Sequence, residues 1–318
     1  MDYSFCGNSG LQLPKISLGM WYNFGGIDDF ANVKKMICHA FDKGITHFDL
    51  ANNYGPPPGS AELNFGKVLS ENLKNHRDDM IISSKAGNLM SPGPYGNGGS
   101  RKVMMASIDQ SLKRTGLEYF DIFYSHKYDP QTPIEETMQV LIDIVKQGKA
   151  LYIGISKYPV DKAEEAYKIL REQHVPCLVY QDKYNMLQRQ PEEKHFELNK
   201  KYGVGFVAFS PLAQGLLTDK YLNGIPENSR AAYKHGYLKI EDVTVEIVDK
   251  AKKLNSIAEK RGQSLAEMSL AWILNHKEVT SVIVGVSSVN QLDTNLGVLK
   301  NSTFTEEELC EIEKLIRK

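Results

Sequence analysis

Four side chains with complementary acid–base chemistry stand at or just beyond the ends of short apolar runs. Asp49 falls near the end of ITHFDL, Tyr54 follows in DLANNYGPPPGS, Lys85 closes MIISSK and His126 closes FDIFYSH. A free phenol, with a pKa of about 10, is a reluctant proton donor near neutrality. An ammonium group beside it stabilises the phenolate, and a carboxylate keeps that ammonium charged despite burial. Tyr54 is therefore expected to act as a general acid, with Lys85 and Asp49 tuning it. The His126 imidazole is suited to donating a hydrogen bond to a carbonyl and orienting it, so that two donors stabilise an oxyanion developing there. The chemistry implied is reduction of a carbonyl group, with hydride coming from a cofactor. Each residue alone has an ordinary explanation: a structural Lys–Asp pair, a packed strand-end histidine, a tyrosine anchoring a Gly-Pro loop. The chemical reading depends on the four meeting.

The elements around them supply the meeting place. Eight short runs, mostly β-branched or aromatic, recur along the chain: KISLG (15–19), ITHFDL (45–50), MIISSK (80–85), FDIFYSH (120–126), ALYIGIS (150–156), CLVYQ (177–181), VGFVAFS (204–210) and TSVIVG (280–285). None shows the polar alternation of a half-wet antiparallel sheet, so strands buried on both faces are predicted. Amphipathic segments lie between them. In SRKVMMASIDQSLKRTG, Met104, Ile108 and Leu112 share a face and Gly116 stops the helix. Capping boxes are predicted at Thr132–Glu135, with Pro133 at the first helical position, at Ser264–Glu267 and at Thr305–Glu308. Strict alternation of eight strands with helices predicts an α/β fold, a (β/α)8 barrel, over residues 1–318 as one domain. The competing open doubly wound sheet would carry Gly-x-Gly-x-x-Gly at its first strand–helix junction, and SLGMWYNFGG does not. Loops that follow barrel strands gather at the catalytic rim, so the long irregular segment after strand seven, roughly 211–240, is expected to be functional.

Composition narrows the class. The chain has 318 residues and a net charge of -1, which argues against nucleic acid or an anionic membrane surface as the main partner. The start, MDYSFCGNSGLQLP, lacks a basic-then-apolar signal, and no apolar run is long enough to insert in a membrane. Cys6, Cys38, Cys177 and Cys310 are scattered, which reads as reduced thiols of a cytoplasmic protein, and no metal-ligand spacing is present. Homo-oligomerisation is left open.

From YSFCGNSGLQLPKISLGMW to LAWILNHKEVTSVIVGVSS the sequence resembles the aldo-keto reductase superfamily, whose tetrad is Asp, Tyr, Lys and His on a (β/α)8 barrel. Within it, HFDLANNYGPPPGSAE, GPYGNGGSRK, SLKRTGLEYFDIFYSH and FSPLAQGLLTDKYLNGIPENSR look like the branch of bacterial L-glyceraldehyde 3-phosphate reductases, relatives of the potassium-channel β subunits. The resemblance implies an N-terminal β-hairpin before the barrel, NADPH as cofactor, and small aldehydes such as L-glyceraldehyde 3-phosphate or methylglyoxal as substrates. It makes Tyr54 the proton donor, tuned by Lys85 and Asp49, with His126 orienting the carbonyl. It assigns Ser156 and Gln181 to the nicotinamide carboxamide and Phe209 to stacking on the ring. Ser210, Leu212, Gln214 and Gly215 fall on the pyrophosphate path, where loop N–H groups can meet phosphate oxygens. Gly285, Ser287, Ser288, Gln291 and Asn295 match the adenosine-side motif GxSSxxQxxxN, which opens a helix whose N-terminus favours anions. Arg230 matches the basic residue at the ribose 2′-phosphate.

Trp21 and Tyr22, Tyr54, His126 and the loop GNLMSPGPYGNGGSRK are expected to shape the substrate pocket. Arg101 and Lys102 are candidates for a substrate phosphate or, equally, a solvated helix start. The sequence departs from the family at Lys157 in GISKY, at Asp182 and Lys183 in QDKYNML, and at Thr294, where an acid is common. Gly285 stands where another branch has a phosphate-binding lysine. A second reading remains: a cofactor-sensing binding subunit with slow turnover, as the channel relatives imply, which would keep the same tetrad.

Overall fold

The computed structural model describes residues 1–227, 229–232 and 237–317. Two short antiparallel strands, β1 (Tyr3–Phe5) and β2 (Gln12–Pro14), form the expected hairpin. Eight strands then alternate with helices: β3 (Ile16–Gly19), α1 (Phe30–Asp42), β4 (His47–Asp49), α2 (Ser60–Val68), β5 (Ile81–Ala86), α3 (Arg101–Thr115), β6 (Phe120–Ser125), α4 (Ile134–Lys146), β7 (Ala150–Ser156), α5 (Val160–Glu172), β8 (Val179–Lys183), α6 (His195–Tyr202), β9 (Gly205–Phe209), α7 (Val245–Lys260), α8 (Leu265–Leu274), β10 (Val279–Val284), α9 (Val289–Leu296) and α10 (Glu306–Ile316). All pairings from β3 to β10 are parallel, and β10 returns to β3, so the sheet closes into the predicted (β/α)8 barrel.

Period-two side-chain alternation divides each strand between two cores. Phe48 points outward and packs on Phe65 of α2, with ring centroids 5.5 Å apart, while His47 and Asp49 point into the barrel. On β5, Ser84 turns outward to Glu62 of α2 at 2.6 Å, which leaves Ser83 and Lys85 facing inward. The interior layer holds Ile122, Tyr124, Val179, Val207 and Ile283. Gly154 on β7 makes room for it, because a Cβ there would stand 2.5 Å from the Tyr124 ring.

The hairpin closes the amino-terminal end of the barrel. Cys6 and Leu13 are fully buried and join the interior layer. The Cys6 thiol lies 3.6 Å from the Leu178 carbonyl and Asn8 N–H donates to Gly203 O at 2.9 Å, both just before strands begin. Capping boxes form at Ser264–Glu267 and Thr305–Glu308, and Gly116 ends α3 in the left-handed conformation. The box expected at Thr132 does not form. The Thr132 hydroxyl donates instead to Asp129 Oδ2 at 2.7 Å, and Pro133 becomes the N-cap of α4 rather than its first helical residue.

Candidate active site

The strand alternation brings Asp49, Lys85 and Tyr54 into one hydrogen-bonded unit. Lys85 Nζ donates to Asp49 Oδ2 at 2.6 Å, to the Leu50 carbonyl at 2.7 Å and to the Tyr54 hydroxyl at 3.3 Å. An ammonium has three N–H bonds, and all three are engaged. Asp49 Oδ1 accepts from Ser83 Oγ at 2.8 Å and from Gln181 Nε2 at 3.1 Å. Both charged groups are sealed from solvent, with side-chain exposures of 0% for Lys85 and 3% for Asp49.

A polar chain continues beneath this unit. Ser83 Oγ lies 3.0 Å from His47 Nε2, His47 Nδ1 lies 2.8 Å from Ser17 Oγ, and Ser17 Oγ lies 2.6 Å from Ser281 Oγ. Because Ser83 gives its one hydrogen to Asp49, it accepts from His47, so the chain assigns the proton to Nε2 and leaves Nδ1 to accept from Ser17. That requires a neutral imidazole, and burial supplies it, holding His47 down to about 4. Sequence reasoning did not find this chain; its only trace is polar residues interrupting apolar runs, as in HFD and SSK.

His126 follows β6 and its ring stands edge-on to Tyr54, with centroids 5.9 Å apart. Burial, reinforced by Lys85, Lys157 and Lys127, holds it well below the usual imidazole range, so it is neutral at pH 7. Its buried Nδ1 has no hydrogen-bond partner among the described residues. Burial lowers Lys85, and Asp49 opposes that shift.

The phenol departs from the sequence expectation. Burial, with Asp49, pushes Tyr54 well above its ordinary range instead of lowering it. Loss of solvent is the larger cause, and the negative charge of Asp49 acts in the same direction. Tyr54 therefore holds its proton at rest, and Lys85 counts only as negative charge grows on the phenol oxygen.

These groups open onto a cavity of about 1180 Å³ at the carboxyl ends of the strands. Of the residues predicted for catalysis, cofactor and substrate, Trp21, Asp49, Tyr54, His126, Ser156, Gln181, Phe209, Ser210, Leu212, Gln214, Gly215, Arg230, Gly285, Ser287 and Gln291 all line it. Lys85 lies behind Asp49 and Tyr54. Ser288 and Asn295 do not reach the wall: Ser288 caps α9 by accepting from Gln291 N–H, and Asn295 is buried within that helix. Trp21, Tyr22 and Tyr237 form an aromatic rim, Trp21 standing 4.6 Å from Tyr22 and 4.9 Å from Tyr237. Arg230 lies over the Tyr22 ring at 5.7 Å and forms no ion pair among the described residues. It sits in the long segment after β9, whose residues 228 and 233–236 are outside the described ones.

Left-handed backbone marks the rim. Lys157, Ser210 and Gln214, all non-glycine, have φ of 55°, 53° and 60° just past β7 and β9. Such conformations carry a cost that surrounding structure must hold in place, and they concentrate where side chains are aimed at ligands. Ser156 Oγ, at the end of β7, is buried and has no partner among the described residues. An unpartnered hydroxyl on the wall, a half-buried Phe209 ring and an arginine without a carboxylate fit the carboxamide, ring and phosphate of a nicotinamide dinucleotide.

Arg101 and Lys102 do not reach the cavity. Arg101 pairs with Asp143 of α4, its N–H donates to Glu136, and Lys102 covers the Tyr95 ring at 5.0 Å. Instead the wall holds Lys127, Lys157, Lys183 and Lys220. Lys127 directly follows His126, a position that could have flagged it in the sequence. Among the described residues, no cluster of three metal-ligating side chains and no helix long and apolar enough to cross a membrane is present.

The profile of the Aldo/keto reductase family matches residues 15–317. The chain is 51% identical over 322 aligned residues to L-glyceraldehyde 3-phosphate reductase of Escherichia coli O157:H7, covering 99% of this chain and 92% of that protein. It is 50% identical, with the same coverage, to the protein of that name from Escherichia coli strain K12.

Proposed function

Since this chain belongs to the aldo/keto reductase family, we propose that it is an NADPH-dependent reductase of small aldehydes such as L-glyceraldehyde 3-phosphate or methylglyoxal, acting from one barrel domain. The observation that carries the reading is the Tyr54 hydroxyl, 3.3 Å from Lys85 Nζ and beside the His126 ring on the cavity wall.

The reduced nicotinamide, when bound, supplies a hydride to the carbonyl carbon. Tyr54 and His126 converge on the carbonyl oxygen, and His126, being neutral, orients it with an N–H hydrogen bond without giving up its proton. Tyr54 donates the phenolic proton as negative charge builds on that oxygen, so the aldehyde becomes an alcohol. Lys85 stabilises the phenolate left behind. Asp49 favours the cationic form of Lys85, and Ser83 and Gln181 fix the Asp49 carboxylate in place through the hydrogen bonds that they donate. The preorganised charges act in a site shielded from bulk water, where they are worth more than at a surface.

Ser156 and Gln181 would hold the carboxamide and Phe209 would stack on the ring. Ser210, Leu212, Gln214 and Gly215 would follow the pyrophosphate, with Gly285, Ser287 and Gln291 toward the adenosine. Arg230 would meet the 2′-phosphate and favour NADPH. Ser288 would act through the α9 N-terminus, and Asn295 by packing beneath it.

The test is a steady-state panel of aldehydes with both nicotinamides, accompanied by quenching of protein fluorescence. Consumption of NADPH with L-glyceraldehyde 3-phosphate or methylglyoxal is expected. Tight NADPH binding with turnover of neither would replace the enzyme by the cofactor-sensing subunit, and no quenching by either nicotinamide would remove both.

A further inference from the structure

Five cations face the cavity, Lys127, Lys157, Lys183, Lys220 and Arg230, against one lining carboxylate, Asp49, which Lys85 already neutralises. Lys220 and Arg230 belong to the segment after β9. The other three stand together, because β6, β7 and β8 are consecutive neighbours in the barrel: Lys127 and Lys157 follow β6 and β7, and Lys183 ends β8. All three line the same cavity as His126, and the charges of Lys157 and Lys127 help to hold that imidazole neutral.

Neighbouring carboxylates offset these three only in part: Asp182 raises Lys157, against burial and the surrounding lysines that lower it. None of the three forms an ion pair among the described residues. Asp182 keeps its charge but makes no direct contact with an ammonium among them: its Oδ2 accepts from the Tyr180 hydroxyl at 2.9 Å and its Oδ1 from Lys183 N–H at 2.7 Å. Lys157 also has left-handed backbone, and its ammonium lies 6.0 Å from the centroid of the Phe209 ring. Crowding like charges at a partly desolvated rim is unfavourable without an anion between them, and the field they share draws a dianion in. Lysine suits phosphate as a flexible point charge.

We propose that Lys127 and Lys157, with Lys183 at the edge, form a subsite for the phosphate of a short-chain phosphorylated aldehyde whose carbonyl lies at Tyr54 and His126. The inference rests on the reductase reading of the same cavity and adds the residues that select a phosphorylated aldehyde over an uncharged one. Burial and the neighbouring lysines hold Lys157 down to about 8, still protonated at pH 7, and a bound dianion would restore it.

The experiment compares kcat/KM for glyceraldehyde 3-phosphate with that for glyceraldehyde in the wild type, Lys157→Met, Lys127→Met and the double variant. Calorimetric titration of the NADP+-saturated protein with glycerol 3-phosphate, which cannot be reduced, accompanies it. The ratio of the two kcat/KM values is expected to fall about 10- to 100-fold per lysine, mainly through KM for the phosphorylated substrate. Lys157→Arg, which keeps the charge, should retain most of that selectivity, and the double variant should lose glycerol 3-phosphate binding. Equal losses on both aldehydes, an unchanged ratio, or a wild type that does not bind glycerol 3-phosphate would overturn the subsite. If the wild type reduced neither aldehyde, the reductase reading would fall, and the titration would still decide the subsite: binding that the double variant abolishes supports it, and binding that it leaves intact overturns it.

Discussion

Replacing Asp49 by asparagine keeps the shape of the side chain and removes its charge. The N–O separation of 2.6 Å corresponds to about 6 kcal/mol of gross attraction at an effective dielectric constant of about 20. Desolvation offsets much of that while the pair is intact, but removing one partner leaves a buried charge uncompensated, which typically costs about 3–5 kcal/mol. Hydrogen bonding adds to the loss. Oδ1 now accepts from Ser83 and Gln181 while Oδ2 faces the Lys85 ammonium, so either orientation of the new amide sets its NH2 against a donor. We therefore expect Asp49→Asn to destabilise the fold by about 3–5 kcal/mol in urea unfolding, with no change in m-value. Aldehyde reduction should drop at least about 100-fold, because Lys85 loses the partner that keeps it charged beside Tyr54. The double variant Asp49→Leu/Lys85→Met should return to within about 1 kcal/mol of wild-type stability while staying inactive, since a buried ion pair is often replaceable by apolar groups. A single substitution costing under about 1 kcal/mol, or a double variant no more stable than the single one, would refute the account of these residues as one buried charge-compensated unit.

Tyr54→Phe should lose about 100-fold or more of aldehyde reduction while retaining NADPH affinity in fluorescence titration; near-wild-type turnover would remove the proton-donor role. Arg230→Ala should weaken NADPH more than NADH, and equal weakening in paired titrations would mean that the guanidinium does not meet the 2′-phosphate. His47 makes stability depend on pH with a defined sign: its folded pKa, about 4, lies below the unfolded value of about 6.5, so its contribution is complete above pH 6.5 and is lost as pH falls toward 4. The His47 share of that loss should come to about 3 kcal/mol in acid titrations of urea stability, and His47→Gln should make the limb shallower while the share of His126 remains; an equally steep limb in the variant would mean that His47 does not take up the proton.

The barrel was legible because parallel strands covered on both faces read as unbroken apolar runs, and runs such as MIISSK and TSVIVG fall within a residue or two of Ile81–Ala86 and Val279–Val284. Asp49, Lys85 and His126 were legible for a related reason: ionisable groups are conspicuous at the ends of such runs. What escaped depends on sums and on closure. The direction of the Tyr54 shift is set by lost solvent and by Asp49, and residue types alone do not fix how deeply the phenol is buried. Arg101 carries the right charge for a substrate phosphate, yet α3 aims it at Asp143 on the neighbouring helix. Lys157 and Lys183 stood out in the sequence as separate departures and Lys127 directly follows His126, but the three become a cluster only once three neighbouring strands stand side by side. Thr132 failed as a cap because Asp129, three residues earlier, captured its hydroxyl.

The amino-terminal hairpin has a consequence for the chemistry at the opposite end. With Cys6 and Leu13 wedged among the first residues of the strands, the barrel has a stoppered floor, and the serine–histidine ladder from Ser281 up to Asp49 runs through dry protein. A chain starting at Lys15 would keep every rim residue and lose the stopper. Water rising from below would then solvate the ladder and dull the charges that Tyr54 feels, so the enzyme would be blunted from beneath without one rim contact being altered.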